Sequence, residues 1–133
     1  MSASAQEYKI ITTIESIVPM GIGRSRMVDD KQKQNYKNFT TERSSGQDSD
    51  QGKIDRSDAK IDSMEETKLL NFYSGVGINF QNIASNDAII ASKLNTMTKE
   101  GWELIFVTSG VESDAGKDDG KGIFITRYIF RKK

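Results

Sequence analysis

Arg24 and Arg26 are the side chains whose type and spacing point most directly to ligand chemistry. They stand two apart in Gly-Arg-Ser-Arg, so an extended backbone would project both from one strand face. Arg127, in the last apolar run of the chain, is a third candidate for the same anion-binding cluster. A guanidinium offers a planar fork of donors that matches phosphate or carboxylate. The competing reading is an outward strand face on which these arginines pair with Asp or Glu.

Other constellations fall short of the chemistry they suggest. Asp48, Asp50 and Asp55 are spaced like calcium ligands, but a helix–loop–helix calcium site needs Gly at its sixth position and Glu at its twelfth. Lys53 and Ala59 stand there. Gly110 to Lys117 has one residue too many for a phosphate loop, and Asp118 follows where Ser or Thr would meet magnesium. Gly21-Ile22-Gly23 and Gly75-Val76-Gly77 lack the third glycine of a dinucleotide site and read as strand bulges. Trp102 is better read as a core plug behind a helix end than as a stacking platform. Alternation sets Glu103 on the other side of the strand, exposed or paired.

Composition excludes more. The 133 residues contain no Cys and no His. Thiolate nucleophiles, disulfides, cysteine metal sites and the commonest general base are therefore all missing. The expectation is a protein that is not an enzyme and holds no metal and no cofactor. Nineteen basic residues balance 19 acidic ones, so the basic footprint of a DNA-binding protein is absent. The N-terminus lacks the charged and apolar regions of a signal peptide. No run approaches the ~18 apolar residues of a membrane span. A cytoplasmic protein is expected.

The elements that must carry these residues read as follows. Tyr8–Val18 alternates as a strand, with Tyr8, Ile10, Thr12 and Ile14 on one face and Lys9, Ile11, Thr13 and Glu15 on the other. Pro19, Gly21 and Gly23 mark a bulge or strand end, and Ile22–Val28 forms a short second strand. Residues 29–68 are poor in apolar side chains, so they read as a polar insertion or long loop within a single domain spanning 1–133. Leu69–Gln81 resumes strand character. Asn86–Glu100 is a helix with Asn86 as N-cap, Asp87 in its first turn, a buried stripe of Ile90, Leu94 and Met97 helped by Ala91, and Lys93 facing water. Gly101 stops it in the left-handed conformation. Trp102–Gly110 and Ile123–Arg131 are the closing strands, joined by a polar loop over 114–121. Trp102, Leu104, Phe106 and Thr108 share one face of the first of them. Fifteen Ile against four Leu agree with a strand-rich fold. The fold class is α+β: a small, mainly antiparallel sheet of four to five strands with one principal helix.

The run Leu94 to Leu104, closing in Gly101-Trp102-Glu103-Leu104, and the later Arg127-Tyr128-Ile129-Phe130-Arg131-Lys132 resemble a family of small bacterial proteins of unknown function. The resemblance covers Asp87–Lys132 and, loosely, Tyr8–Ser16. It implies a core of an N-terminal strand, one helix and a closing hairpin, and brings no activity or site residues. The stretch from Pro19 to Phe80 departs from that pattern.

One helix can cover only one face of a small sheet, while the last strands are apolar on both. The expected function is that of a non-enzymatic interaction or structural subunit, in a homo-oligomer or with a protein partner. The alternative is a small-ligand or anion-binding module using Arg24 and Arg26.

Overall fold

The computed structural model describes residues 6–18, 24–112 and 122–132. Pro19, Gly21, Gly23 and the loop expected at 114–121 lie outside them. The described chain divides into two compact units, one running to Asp29 and resuming at Glu66, the other Asp30–Glu65.

The first unit follows the alternation of its sequence. Strand β1 (Glu7–Ser16) pairs antiparallel with β2 (Arg26–Asp30) and with the last strand, Ile123–Lys132. Strand β3 is Met64–Lys68, and Tyr73–Ser74 and Gly77–Ile78 form a two-residue-per-strand hairpin, β4 and β5. Glu103–Glu112 is β6 and the last strand is β7. Among the described residues the sheet order is β3-β2-β1-β7-β6. The α+β class with a mainly antiparallel sheet is therefore the observed one. Strand β2 starts at Arg26, later than expected, so Arg24 precedes it. Asp29 and Asp30, at the head of the polar segment, are strand residues, and so are Met64–Lys68 at its end.

A short helix, α1 (Arg56–Ala59), lies in the second unit, and the principal helix, α2, spans Phe80–Lys99. The principal helix starts six residues before the expected Asn86. Its N-cap is Asn79, whose side chain accepts from the Asn82 N–H at 3.0 Å. Apolar alternation through Ile78 and Phe80 mimics a strand there, but Phe80 turns out to be an exposed first-turn residue. Asn86 is instead a fully buried mid-helix residue. Ala91 is exposed, and Ile89 packs on the core in its place.

The helix end forms as read. Gly101 takes φ +93°, its N–H donates to Thr98 O, and the Trp102 N–H donates to Met97 O, each at 3.0 Å. That reciprocal pair satisfies two terminal carbonyls and needs the left-handed residue between them. Trp102 then packs against the core of Ile11, Met27, Leu69, Met97 and Phe130. Lys132 covers its outer side, with Nζ 5.2 Å from the ring centroid.

Residues 69–72 are an extended connector, not a strand of the sheet. Leu69 N–H donates to Ser25 O at 3.1 Å and Phe72 N–H to Ser16 O at 2.8 Å. From the helix side, Asn86 Oδ1 accepts from the Leu70 N–H at 2.7 Å while its Nδ2 donates to the Leu70 carbonyl at 2.7 Å. One buried amide thus does for Leu70 what a neighbouring strand would do.

The Asp30–Glu65 unit holds together differently, since none of residues 31–65 is buried. Side-chain amides bridge its turns: Gln34 Nε2 donates to the carbonyls of Asp58 and Ala59, and Gln51 Nε2 to Phe39 O and Thr41 Oγ1. Gln32 Oε1 accepts from the backbone of Asp62 and Ser63.

Two substitutions check this account by urea denaturation. Asn86→Ala is expected to destabilise by about 2 kcal/mol, because the half-buried Leu70 N–H and C=O both lose their partner. Gly101→Ala is expected to cost about 1–2 kcal/mol. The space beside Gly101 is open to a methyl group, with Lys132 Cε 3.6 Å from the Cβ position, so that cost is conformational.

Candidate functional site

Cross-strand partners lie on the same side of a sheet, so the register sorts its two faces. Ile11, Thr13, Met27, Tyr128 and Phe130 face α2. Opposite them lies an open face. Across it run Glu103, Arg131 and Tyr8; then Phe106, Ile129 and Ile10; then Thr108, Arg127, Thr12 and Val28; then Gly110, Ile125, Ile14 and Arg26. The second of these rows is apolar throughout, and the fourth is apolar until it ends in Arg26. Tyr8 is 60% exposed, Ile10 42% and Phe106 59%.

A register shift between Leu104 and Phe106 corrects the expected facing of β6. Ile105 bulges, so Leu104 aligns with Phe130 on the helix side and Phe106 with Ile129 on the open side. Sequence alternation counts every residue and misses an inserted one. Every residue of β6 is exposed, and β6 is one of the two edge strands of the described sheet. The site with the largest unsatisfied demand is therefore the open face together with the β6 edge.

The three arginines take separate places. Arg26 opens β2, and its Nη1 lies 3.0 Å from Glu66 Oε1. It lines a surface cleft of about 260 Å³ with Ser25, Glu66, Thr67 and Lys68. Arg127 lies on the same sheet face, two strands over and one row along, ~12 Å away by strand spacing and rise. Arg24 is exposed in the segment before β2. Glu103 pairs with Arg131, Oε1 to Nη2 3.2 Å. Asp50 lies 3.4 Å from Lys53, and Asp55 caps α1 by accepting from the Ser57 N–H. Two hydrogen bonds from Ser57 hold the Asp55 carboxyl below its usual range. Among the described residues no three acidic, His or Cys groups converge as a metal site.

Sequence reading passed over two carboxyl groups on the helix side, one buried and one half-buried. Asp29, 4% exposed, meets Lys9 Nζ at 2.6 Å and Lys93 Nζ at 2.8 Å, so Lys93 does not face water. Burial pushes the Asp29 carboxyl up, but the two ammonium groups outweigh it and hold it below its ordinary value of 3.8. Glu15 accepts from Asn86 Nδ2 at 2.9 Å. Burial raises it above its ordinary 4.5, against the Asn86 hydrogen bond and with help from Asp87. Burial likewise raises Tyr128. The only sequence signal for Asp29 is its spacing of two from Met27, which puts a carboxylate on the core face. These groups join helix to sheet.

Their pH dependence has opposite signs. A depressed carboxyl stabilises the fold above its unfolded value and loses that contribution as pH falls toward its folded value. A raised one stabilises below its unfolded value and loses that contribution as pH rises through its folded value. Asp29 is thus expected to withdraw stability as pH falls below 3.8, and Glu15 to cost stability above pH 4.5. Thermal melts from pH 2 to 8 check both: Asp29→Asn should flatten the acid limb, and Glu15→Gln should raise Tm at neutral pH.

Among the described residues no helix is long and apolar enough to cross a membrane. Compared with known proteins, the chain matches no family model, no curated protein and no solved structure.

Proposed function

We propose that this chain is a non-enzymatic interaction subunit that associates with a protein partner through the open face of its sheet and the adjoining β6 edge. The observation that carries this reading is the exposed apolar row of Phe106 and Ile10 flanking Ile129 on the face opposite α2. An exposed apolar row rimmed by polar residues is the kind of surface that marks interaction sites. Tyr8 and the Glu103–Arg131 pair border the row at one end, and Arg127 and its threonine neighbours at the other. An apolar centre within a polar rim is the usual anatomy of a protein interface. The same proposal keeps the chain with the small bacterial proteins that its helix–Gly-Trp-Glu-Leu–strand segment resembles.

The anion-binding alternative has less support. Glu66 already occupies one side of the Arg26 guanidinium, and the register separates Arg26 from Arg127.

The test substitutes Ile10→Lys at the centre of the face. Ile10 is 42% exposed, so the variant is expected to keep its far-ultraviolet spectrum and to melt within a few degrees of the parent. Native affinity capture with mass spectrometry, run beside light scattering, should find a species held by the parent and lost by the variant. A monomeric parent that captures nothing the variant does not would overturn the reading.

A further inference from the structure

The two edges of the sheet are built differently. Strand β3 is five residues long and carries Glu65, Glu66 and Lys68, which is how an edge is protected from pairing. Strand β6 is ten residues long and holds no charge or proline between Glu103 and Glu112. Its bulge sits at Ile105, near one end, and leaves a regular stretch from Phe106 onward. Leu104, Phe106, Val107 and Val111 are all exposed along it. An edge of this kind presents unpaired backbone groups between apolar side chains and is a template for another strand.

We propose that the strand it receives is β6 of a second copy of this chain, antiparallel about a two-fold axis through Thr108. This rests on the association reading above and names its partner. A two-fold axis normal to the sheet must set open-face residues against open-face residues, because a one-residue slip reverses every side chain. The axis therefore passes through a residue, not between two. Centred on Thr108, the pairing sets Thr108 against itself, Val107 against the partner's Ser109, and Phe106 against the partner's Gly110. Carried past the Ile105 bulge, it brings Glu103, which already holds Arg131, opposite the partner's Glu112 at each end.

The three central oppositions are favourable, and the like-charge contact at each end keeps the pairing weak. Directly opposed threonines stabilise an antiparallel pair. A ring lying over a strand glycine covers the backbone that the glycine leaves bare, and the space beside Gly110 is open, with nothing within 4 Å of its Cβ position. Centring on Ser109 instead would lay Glu112 against the partner's Phe106. The formal net charge of zero removes the general repulsion between copies. Pairing of this length buries on the order of 500 Å² per copy, at the low end of specific interfaces. The dimer is therefore concentration-dependent, its two sheets continuing into one.

The experiment uses the full chain, which contains no cysteine of its own. Sedimentation from micromolar to submillimolar protein should show the mass rising from one chain toward two. T108C should cross-link to itself under mild oxidant at least fivefold faster than S109C, because opposed Cβ atoms on the axis lie near disulfide range and those of position 109 do not. T108K should weaken the dimer at least tenfold without changing Tm by more than a few degrees. A chain that stays monomeric throughout, S109C cross-linking as fast as T108C, or a folded T108K that still dimerises would each overturn the inference. If the chain is monomeric yet captures a different protein in a manner Ile10→Lys abolishes, the self-pairing falls and the association reading stands. If both measurements fail, both fall.

Discussion

A sheet has two faces and two edges, and the described residues of this chain hold one long helix with which to cover them. A helix with its side chains is ~10 Å across, while strands repeat every ~4.8 Å. One helix therefore shields two or three strands of one face. The buried residues follow that arithmetic. Ile11, Met27 and Phe130, from β1, β2 and β7, lie beneath Met97 and beside Leu69, whereas every residue of β6 is exposed. The apolar side chains left over on β6 and on the open face are the part of the molecule whose burial the first unit does not provide. The functional reading grows from that deficit.

Under the helix, order depends on polar groups as much as on apolar ones. Asn86 pins Leu70 from one side while Ser16 and Ser25 hold the connector from the other. Leu69 is thereby delivered into the core from a segment that belongs to no strand. Asp29 binds β1 and α2 together through Lys9 and Lys93. A buried carboxylate is tolerated only with such partners. Among the described residues Glu15 has an amide partner and no cation, and its carboxyl accordingly moves the other way.

The Asp30–Glu65 unit shows a second solution to a shortage of apolar side chains. Without a buried residue, it fixes its turns with amide side chains that reach backbone carbonyls and N–H groups. Hydrogen bonds of this kind are individually modest in water. Glutamines and aspartates scattered through a polar segment give no periodic signal, which is why composition alone reads the stretch as a loop.

By itself the sequence determined the α+β class, the faces of β1, and the helix stop at Gly101. Each depends on a local period or on the conformation of one residue, and such signals survive in the order of the amino acids. Only the tertiary structure decided where α2 begins, which way Phe106 faces, and what Asp29, Lys93 and Asn86 do. The helix start was hidden by apolar alternation at Ile78 and Phe80, the facing by one bulged residue, and the polar contacts by sequence separations of 16 to 71 residues. Contacts across such separations are products of packing, and no spacing rule reports them. The separation of Arg26 from Arg127 is of the same kind, since it follows from which strands lie between them.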